Sequence, residues 1–164
     1  MPPALIVYAD GTSDPTVLGP ALDLARNVGG VGRVLLFHPP EVESDLATRA
    51  FGYRLWPLAG DTVGRRYAGS FEQAAALGYD GAIVVPVETA GEVTPDLIAG
   101  AVAAIADHQG AIAAAGGGSI ALLALAEPQP TLFPNDAMPT FEELAARADQ
   151  QRIRLRRLPE HQRA

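Results

Sequence analysis

Short unbroken apolar runs alternate along this chain with stretches whose apolar residues recur every three or four positions. Residues 4–9 (ALIVYA) make a β-branched run of strand length, suited to burial on both faces of a sheet. A turn cluster of Asp10, Gly11, Thr12, Ser13, Asp14 and Pro15 closes it. Val17, Leu18, Leu22 and Ala25 then share one helical face, which predicts a helix over 15–27 stopped by Gly29 and Gly30. Residues 33–38 (RVLLFH) predict a second strand ended by Pro39 and Pro40. A polar peripheral helix over 41–50 and a short third strand over 53–56 follow.

The second half repeats this alternation. Val63, Tyr67, Phe71 and Ala74 mark a helix within 61–77, ended by Gly78. Residues 81–87 (GAIVVPV) predict a fourth strand, with Pro86 near its end, where a missing N–H is tolerated. Thr94, Pro95 and Asp96 open the next helix as cap, first-turn residue and dipole partner. Its buried stripe is Leu97, Ile98, Ala101, Val102 and Ile105. The uncharged stretch 110–126 falls short of the roughly 18 residues of a spanning helix. Two buried strands around Gly116, Gly117 and Gly118 fit it better. Thr140 and Glu143 spell a capping box for a last helix that buries Phe141, Leu144 and Ala148, and 152–158 (RIRLRRL) alternates as an edge strand does. The order β-α-β-α-β-α-β-α-β-β-α-β predicts a three-layer α/β/α fold with a mainly parallel mixed sheet, one domain over 1–164.

Composition narrows the chemistry. The absence of cysteine excludes disulfides, thiolate nucleophiles and cysteine-bound zinc. All 12 basic residues are arginine, so neither lysine Schiff-base chemistry nor a P-loop lysine is available. A net charge of −7 disfavours nonspecific nucleic-acid binding. The N-terminus has no basic stretch and meets Asp10 early, so the expectation is a cytoplasmic protein with no signal peptide and no membrane partner.

Four pieces of the chain, over about 53–158, carry a resemblance. They are Tyr53-Arg54-Leu55-Trp56-Pro57 leading to Gly60-Asp61-Thr62-Val63-Gly64-Arg65-Arg66, the strand–turn–helix over 82–97, the run 116–125 with Pro128, Leu132 and Phe133 after it, and the closing helix and strand. In that order and spacing the chain resembles the bacterial GT-A-like nucleotide-diphospho-sugar transferases, a family related to the archaeal phospholactate guanylyltransferase. The resemblance implies a Rossmann-like GT-A architecture and a nucleotide-sugar-like small-molecule partner. It implies a Mg²⁺ or Mn²⁺ cofactor, and leaves homo-oligomerisation open. Glu88, after the fourth strand, is then the metal-contacting carboxylate. Asp10, Gly11, Thr12 and Ser13 line the nucleotide side, Thr89 joins the substrate contacts, and Gly116, Gly117, Gly118 and Ser119 floor the acceptor side.

The departures from that family bear on activity. The family's long basic loop after the first strand is here a shorter segment, DGTSDPTVL, with no basic residue. Its Gly-Thr-Asp-x-Pro turn reads Val87-Glu88-Thr89-Ala90-Gly91, and its Glu-Asp-Gly-Gly reads Ala114-Ala115-Gly116-Gly117-Gly118. The Asp-containing tail after the last strand is missing, since the chain reads LPEHQRA there. Two functional readings follow: a diverged glycosyl or nucleotidyl transferase, or a catalytically inactive relative kept for ligand sensing or protein association.

Other candidates carry less. His38, His108 and His161 show no ligand spacing, which weighs against zinc. Ser119 in GGSIA resembles a nucleophile elbow, but no helix is expected after it. Arg65 and Arg66 could reach a phosphate, although such a pair more often forms a solvated helix face. Arg152, Arg154, Arg156 and Arg157 fit protection of a sheet edge better than a nucleic-acid patch.

Overall fold

A computed structural model describes residues 2–10, 15–38, 41, 43–50, 52–57, 62–134 and 139–158. The elements are β1 (Ala4–Asp10), α1 (Pro15–Arg26), β2 (Gly32–His38), α2 (Glu43–Arg49), β3 (Arg54–Pro57), α3 (Val63–Ala76) and β4 (Ala82–Pro86). They continue with α4 (Pro95–Ala106), β5 (Gly110–Ala114), β6 (Ile120–Leu125), α5 (Phe141–Gln150) and β7 (Leu155–Leu158). One sheet has the order β3-β2-β1-β4-β6-β5-β7. β6 runs antiparallel to both β4 and β5, and every other pairing is parallel. The three-layer, mainly parallel α/β architecture expected from the sequence is therefore the one observed.

Side-chain alternation along the strands sorts the core into two layers. Leu5, Val7 and Ala9 of β1 meet Leu18 and Leu22 of α1, Leu46 of α2, and Ile98 and Ala101 of α4. Ile6 and Tyr8 of the same strand face the other way, against Tyr67 and Phe71 of α3 and Leu144 of α5. Both faces of β1 and β4 are covered, so these strands read as continuous apolar runs. Local chemistry sets the helix starts. Thr94 Oγ1 accepts the Leu97 N–H at 3.2 Å, and the Thr140–Glu143 capping box closes with bonds of 3.2 and 2.9 Å.

Several expected boundaries move. The third strand is Arg54–Pro57, one residue later than its apolar run suggests; β3 lies at the sheet edge, where Pro57 is tolerated. The fourth strand stops at Pro86, because Val87 enters a short 3-10 helix, Val87–Glu92. The last strand spans Leu155–Leu158 rather than starting at Arg152, which sits left-handed at φ 59° in the turn leaving α5. Of the residues expected inward on α1, the Val17 side chain lies outside the described residues. Among the described residues no helix is long and apolar enough to cross a membrane.

Candidate functional site

After β1 the chain crosses to β2 on one side, while β4 lies against the other side of β1. The connections leaving the carboxyl ends of β1 and β4 lead to α1 and α4, which pack in the same core layer. Ligands of open α/β sheets gather beyond the carboxyl ends of the strands, at such a crossover in strand order. β1 ends here at Asp10, which registers opposite His38, the last residue of β2. The Asp10 side chain and all of Gly11, Thr12 and Ser13 fall outside the described residues.

β4 delivers the acidic turn. Glu88 is exposed on the first turn of the 3-10 helix, directly beyond the strand's carboxyl end. Thr89 is half-buried, and its Oγ1 lies 3.3 Å from the carbonyl of Pro86 and 3.2 Å from that of Ile120. One hydroxyl hydrogen serves both, so Thr89 ties the end of β4 to the start of β6. Its lone pairs stay available as acceptors.

Because β6 is antiparallel, the turn joining β5 to β6 returns to this same edge. Ala115 N–H donates to Ser119 O at 2.8 Å and closes it. Gly117 and Gly118 are left-handed in succession, at φ 73° and 81°, a conformation that L side chains resist. No atom lies within 4 Å of where a Cβ would stand at either, so backbone shape rather than crowding selects glycine here. Gly116, Gly117, Gly118 and Ser119 are all exposed.

Pattern reading missed Glu92. Its Oε1 accepts the N–H of Gly116 at 3.0 Å and joins the acidic turn to the glycine turn. Glu92 also lines a recess of about 480 Å³ with Thr94, Asp96, Leu97, Ala113 and Leu158, between the start of α4 and the ends of β5 and β7. The recess combines two carboxylates with an apolar wall. A glutamate two residues before a Thr-Pro helix start was the one local signal for it.

The remaining sequence candidates scatter. Arg65 and Arg66 sit in the first turn of α3, and the Arg65 N–H caps onto Thr62 Oγ1 at 3.2 Å. His108 lies beyond the far end of α4, and His161 lies outside the described residues. Arg156 donates Nε to Gln109 Oε1 at 2.8 Å and pairs with Asp107, while Arg157 lies 3.7 Å from Asp149. Among the described residues no group of three or more His, Asp or Glu could hold a metal ion. Glu88 and Glu92 thus do not form a closed cage.

No protein-family model and no curated protein matches the chain. Solved structures do. A protein assigned as a nucleotide-diphospho-sugar transferase from Desulfovibrio desulfuricans aligns over 94% of this chain and 78% of its own, with a TM-score of 0.80 at 12% identity. The fold is that of the nucleotide-diphospho-sugar transferases. The 4-diphosphocytidyl-2C-methyl-D-erythritol synthase of Anaerococcus prevotii is also similar, with a TM-score of 0.69 at 9% identity over 94% of this chain and 85% of its own. Rv0371c of Mycobacterium tuberculosis, solved with manganese, gives a TM-score of 0.59 at 16% identity over 96% and 88%.

Proposed function

We propose that the chain is a transferase that takes a nucleotide-type donor at the β1–β4 crossover and moves a nucleotidyl or glycosyl group to a small acceptor. One observation carries this reading. The end of β1 at Asp10, the turn bearing Glu88 and the left-handed pair Gly117 and Gly118 converge on a single sheet edge. In it, Asp10, Gly11, Thr12 and Ser13 line the nucleotide side, and Gly116 through Ser119 offer backbone to the transferred group. Thr89 holds the acidic turn in place. Glu88 contacts Mg²⁺ or Mn²⁺, which offsets phosphate charge as the leaving group departs. The recess beside Glu92 receives the acceptor, with Leu97 and Leu158 against its apolar part and Asp96 accepting from a hydroxyl. Similarity to a 4-diphosphocytidyl-2C-methyl-D-erythritol synthase and to a manganese-bound protein supports the donor and cation classes.

The test is thermal unfolding with CTP and with UDP- and GDP-linked sugars, each with and without Mn²⁺. A ligand bound by the native state raises the midpoint by mass action. A shift that needs Mn²⁺ and vanishes in Glu88→Ala supports transfer chemistry. Absence of any shift with every nucleotide removes the reading. A noncatalytic ligand sensor is the second reading, favoured by the lack of basic residues over 10–18 and the lack of a three-acid cluster among the described residues. Nucleotide binding that ignores both metal and Glu88→Ala would select it.

A further inference from the structure

The amino edge of the sheet, opposite the crossover, carries another recess that plays no part in the transferase reading. It encloses about 300 Å³ and is lined in part by His108, Gln109, Glu127, Gln129, Arg152 and Arg154. Two helix ends built alike form its rim. After α4, His108 N–H donates to Ile105 O at 2.9 Å and Gln109 N–H to Ala104 O at 2.8 Å. After α5, Arg152 N–H donates to Asp149 O at 3.3 Å and Ile153 N–H to Ala148 O at 2.8 Å. α3 closes with the same pair of bonds through Gly78 and Tyr79.

The pivotal residue of this closure is left-handed, which glycine adopts without a Cβ penalty. α3 uses Gly78 at φ 90°, as expected. The other two use His108 at φ 60° and Arg152 at φ 59°, and no other non-glycine residue has positive φ among the described residues. A cation at a helix C-terminus complements the dipole. That explains a basic side chain at either turn, but not why both strained positions border one cavity. Arg154 joins them from the following turn. No side chain of His108, Arg152 or Arg154 makes a hydrogen bond or ion pair among the described residues. Arg156, in contrast, engages Gln109 Oε1, which leaves the Gln109 amide N–H₂ as a donor.

We infer that this recess binds a small oxyanion-bearing molecule, a phosphate ester or a carboxylate. The guanidinium forks of Arg152 and Arg154 take the oxyanion, His108 and Gln109 donate to it, and Glu127 accepts from a hydroxyl or amine elsewhere on the ligand.

The inference is tested on the full chain by following backbone amide resonances during titration with inorganic phosphate, pyrophosphate and citrate. Saturable shifts are expected at 108–110 and 152–154, apart from any at the crossover edge. Phosphates acting and citrate not identifies a phosphate ligand, and the reverse identifies a carboxylate; either supports the site. Arg152→Gly with Arg154→Gln should weaken binding at least tenfold, and His108→Gly severalfold. Each single glycine variant should unfold at the same temperature as the parent or higher, because it relieves left-handed strain. No saturable shift at 108–110 and 152–154, or undiminished binding in the arginine variant, overturns the inference. So does a lower unfolding temperature in His108→Gly and Arg152→Gly, since the side chains then serve the fold.

Discussion

Glu92 accepts the Gly116 N–H through its Oε1 at 3.0 Å, so the last residue of the acidic turn holds the first glycine of the β5–β6 turn. The two are far apart in sequence, and both are exposed. A charged acceptor strengthens such a bond, while solvent weakens it. Glu92→Ala is therefore expected to lower stability by about 1 kcal/mol or less. Its larger effect should fall on ligand binding, because the Gly117–Gly118 turn loses its tie to the turn bearing Glu88. Glu92→Gln keeps an acceptor oxygen and should retain most of the affinity. Nucleotide titrations of the two variants check this; equal losses in both would mean that the charge, not the tie, matters.

Glu88 lacks any such partner among the hydrogen bonds and ion pairs of the described residues, and it is exposed. Its removal should leave stability within about 0.5 kcal/mol of the parent. The expected loss is confined to metal-dependent stabilisation by nucleotide. Denaturant unfolding without ligand, set against thermal unfolding with nucleotide and Mn²⁺, separates the two. A large loss of stability in the ligand-free protein would make Glu88 a structural residue.

These two glutamates mark how far the sequence could be read. The succession of strands along the chain and the helix starts were legible because each rests on local chemistry: the Thr94-Pro95-Asp96 start, the Thr140–Glu143 box, and apolar runs buried on both faces. Glu88 could be assigned to a turn after a central strand for the same reason. The role of Glu92 depends on a partner across the sheet edge, which no local pattern encodes. The start of β7 misled for a related reason. Arg152, Ile153, Arg154 and Leu155 alternate like a strand, yet closure of α5 takes Arg152 into a left-handed turn, and pairing begins only where Leu155 meets Gly110.

Tyr67 offers a test of the core. It is fully buried among Tyr8, Phe71 and Phe133, and its hydroxyl has no hydrogen-bond partner among the described residues. A buried unsatisfied hydroxyl costs about 1–3 kcal/mol. Tyr67→Phe keeps the ring contacts and should raise stability by about 1 kcal/mol in urea unfolding. A clear loss would mean that the hydroxyl is bonded in solution, to water or to a ligand.

The tyrosines also set an alkaline limit. Burial pushes the Tyr67 phenol well above its ordinary value, and burial, opposed by Arg26 and Arg33, raises Tyr53 to about 12. Below pH about 10 both phenols are neutral in folded and unfolded chains alike, so the stability they support is fully present. Above that the unfolded chain ionises first and binds fewer protons, so stability must fall as pH rises. For Tyr53 the loss runs from about 10 to about 12. Its neutral hydroxyl donates to Leu22 O, a bond that the phenolate cannot make. Unfolding midpoints across this range should decline less steeply in Tyr53→Phe; an unchanged slope would show that other groups govern alkaline unfolding.

Gly110 and Gly117 separate two reasons for glycine. Gly110 is buried in β5 between β6 and β7, and a Cβ there would stand 2.6 Å from Ala124 O and 2.5 Å from Leu155 Cδ2. The carbonyl belongs to the neighbouring strand and cannot yield without moving the ladder. Gly110→Ala should therefore cost about 1–3 kcal/mol by overpacking, with loss of the β5–β7 pairing first. Gly117→Ala meets open space, and its penalty is the left-handed backbone alone, about 1–2 kcal/mol. Amide exchange distinguishes them. Gly110→Ala should expose the amides of β7, whereas Gly117→Ala should leave the sheet protected and disturb ligand binding at the crossover edge. Protection of β7 unchanged in Gly110→Ala would mean that the edge strand tolerates the added methyl by shifting outward as a unit.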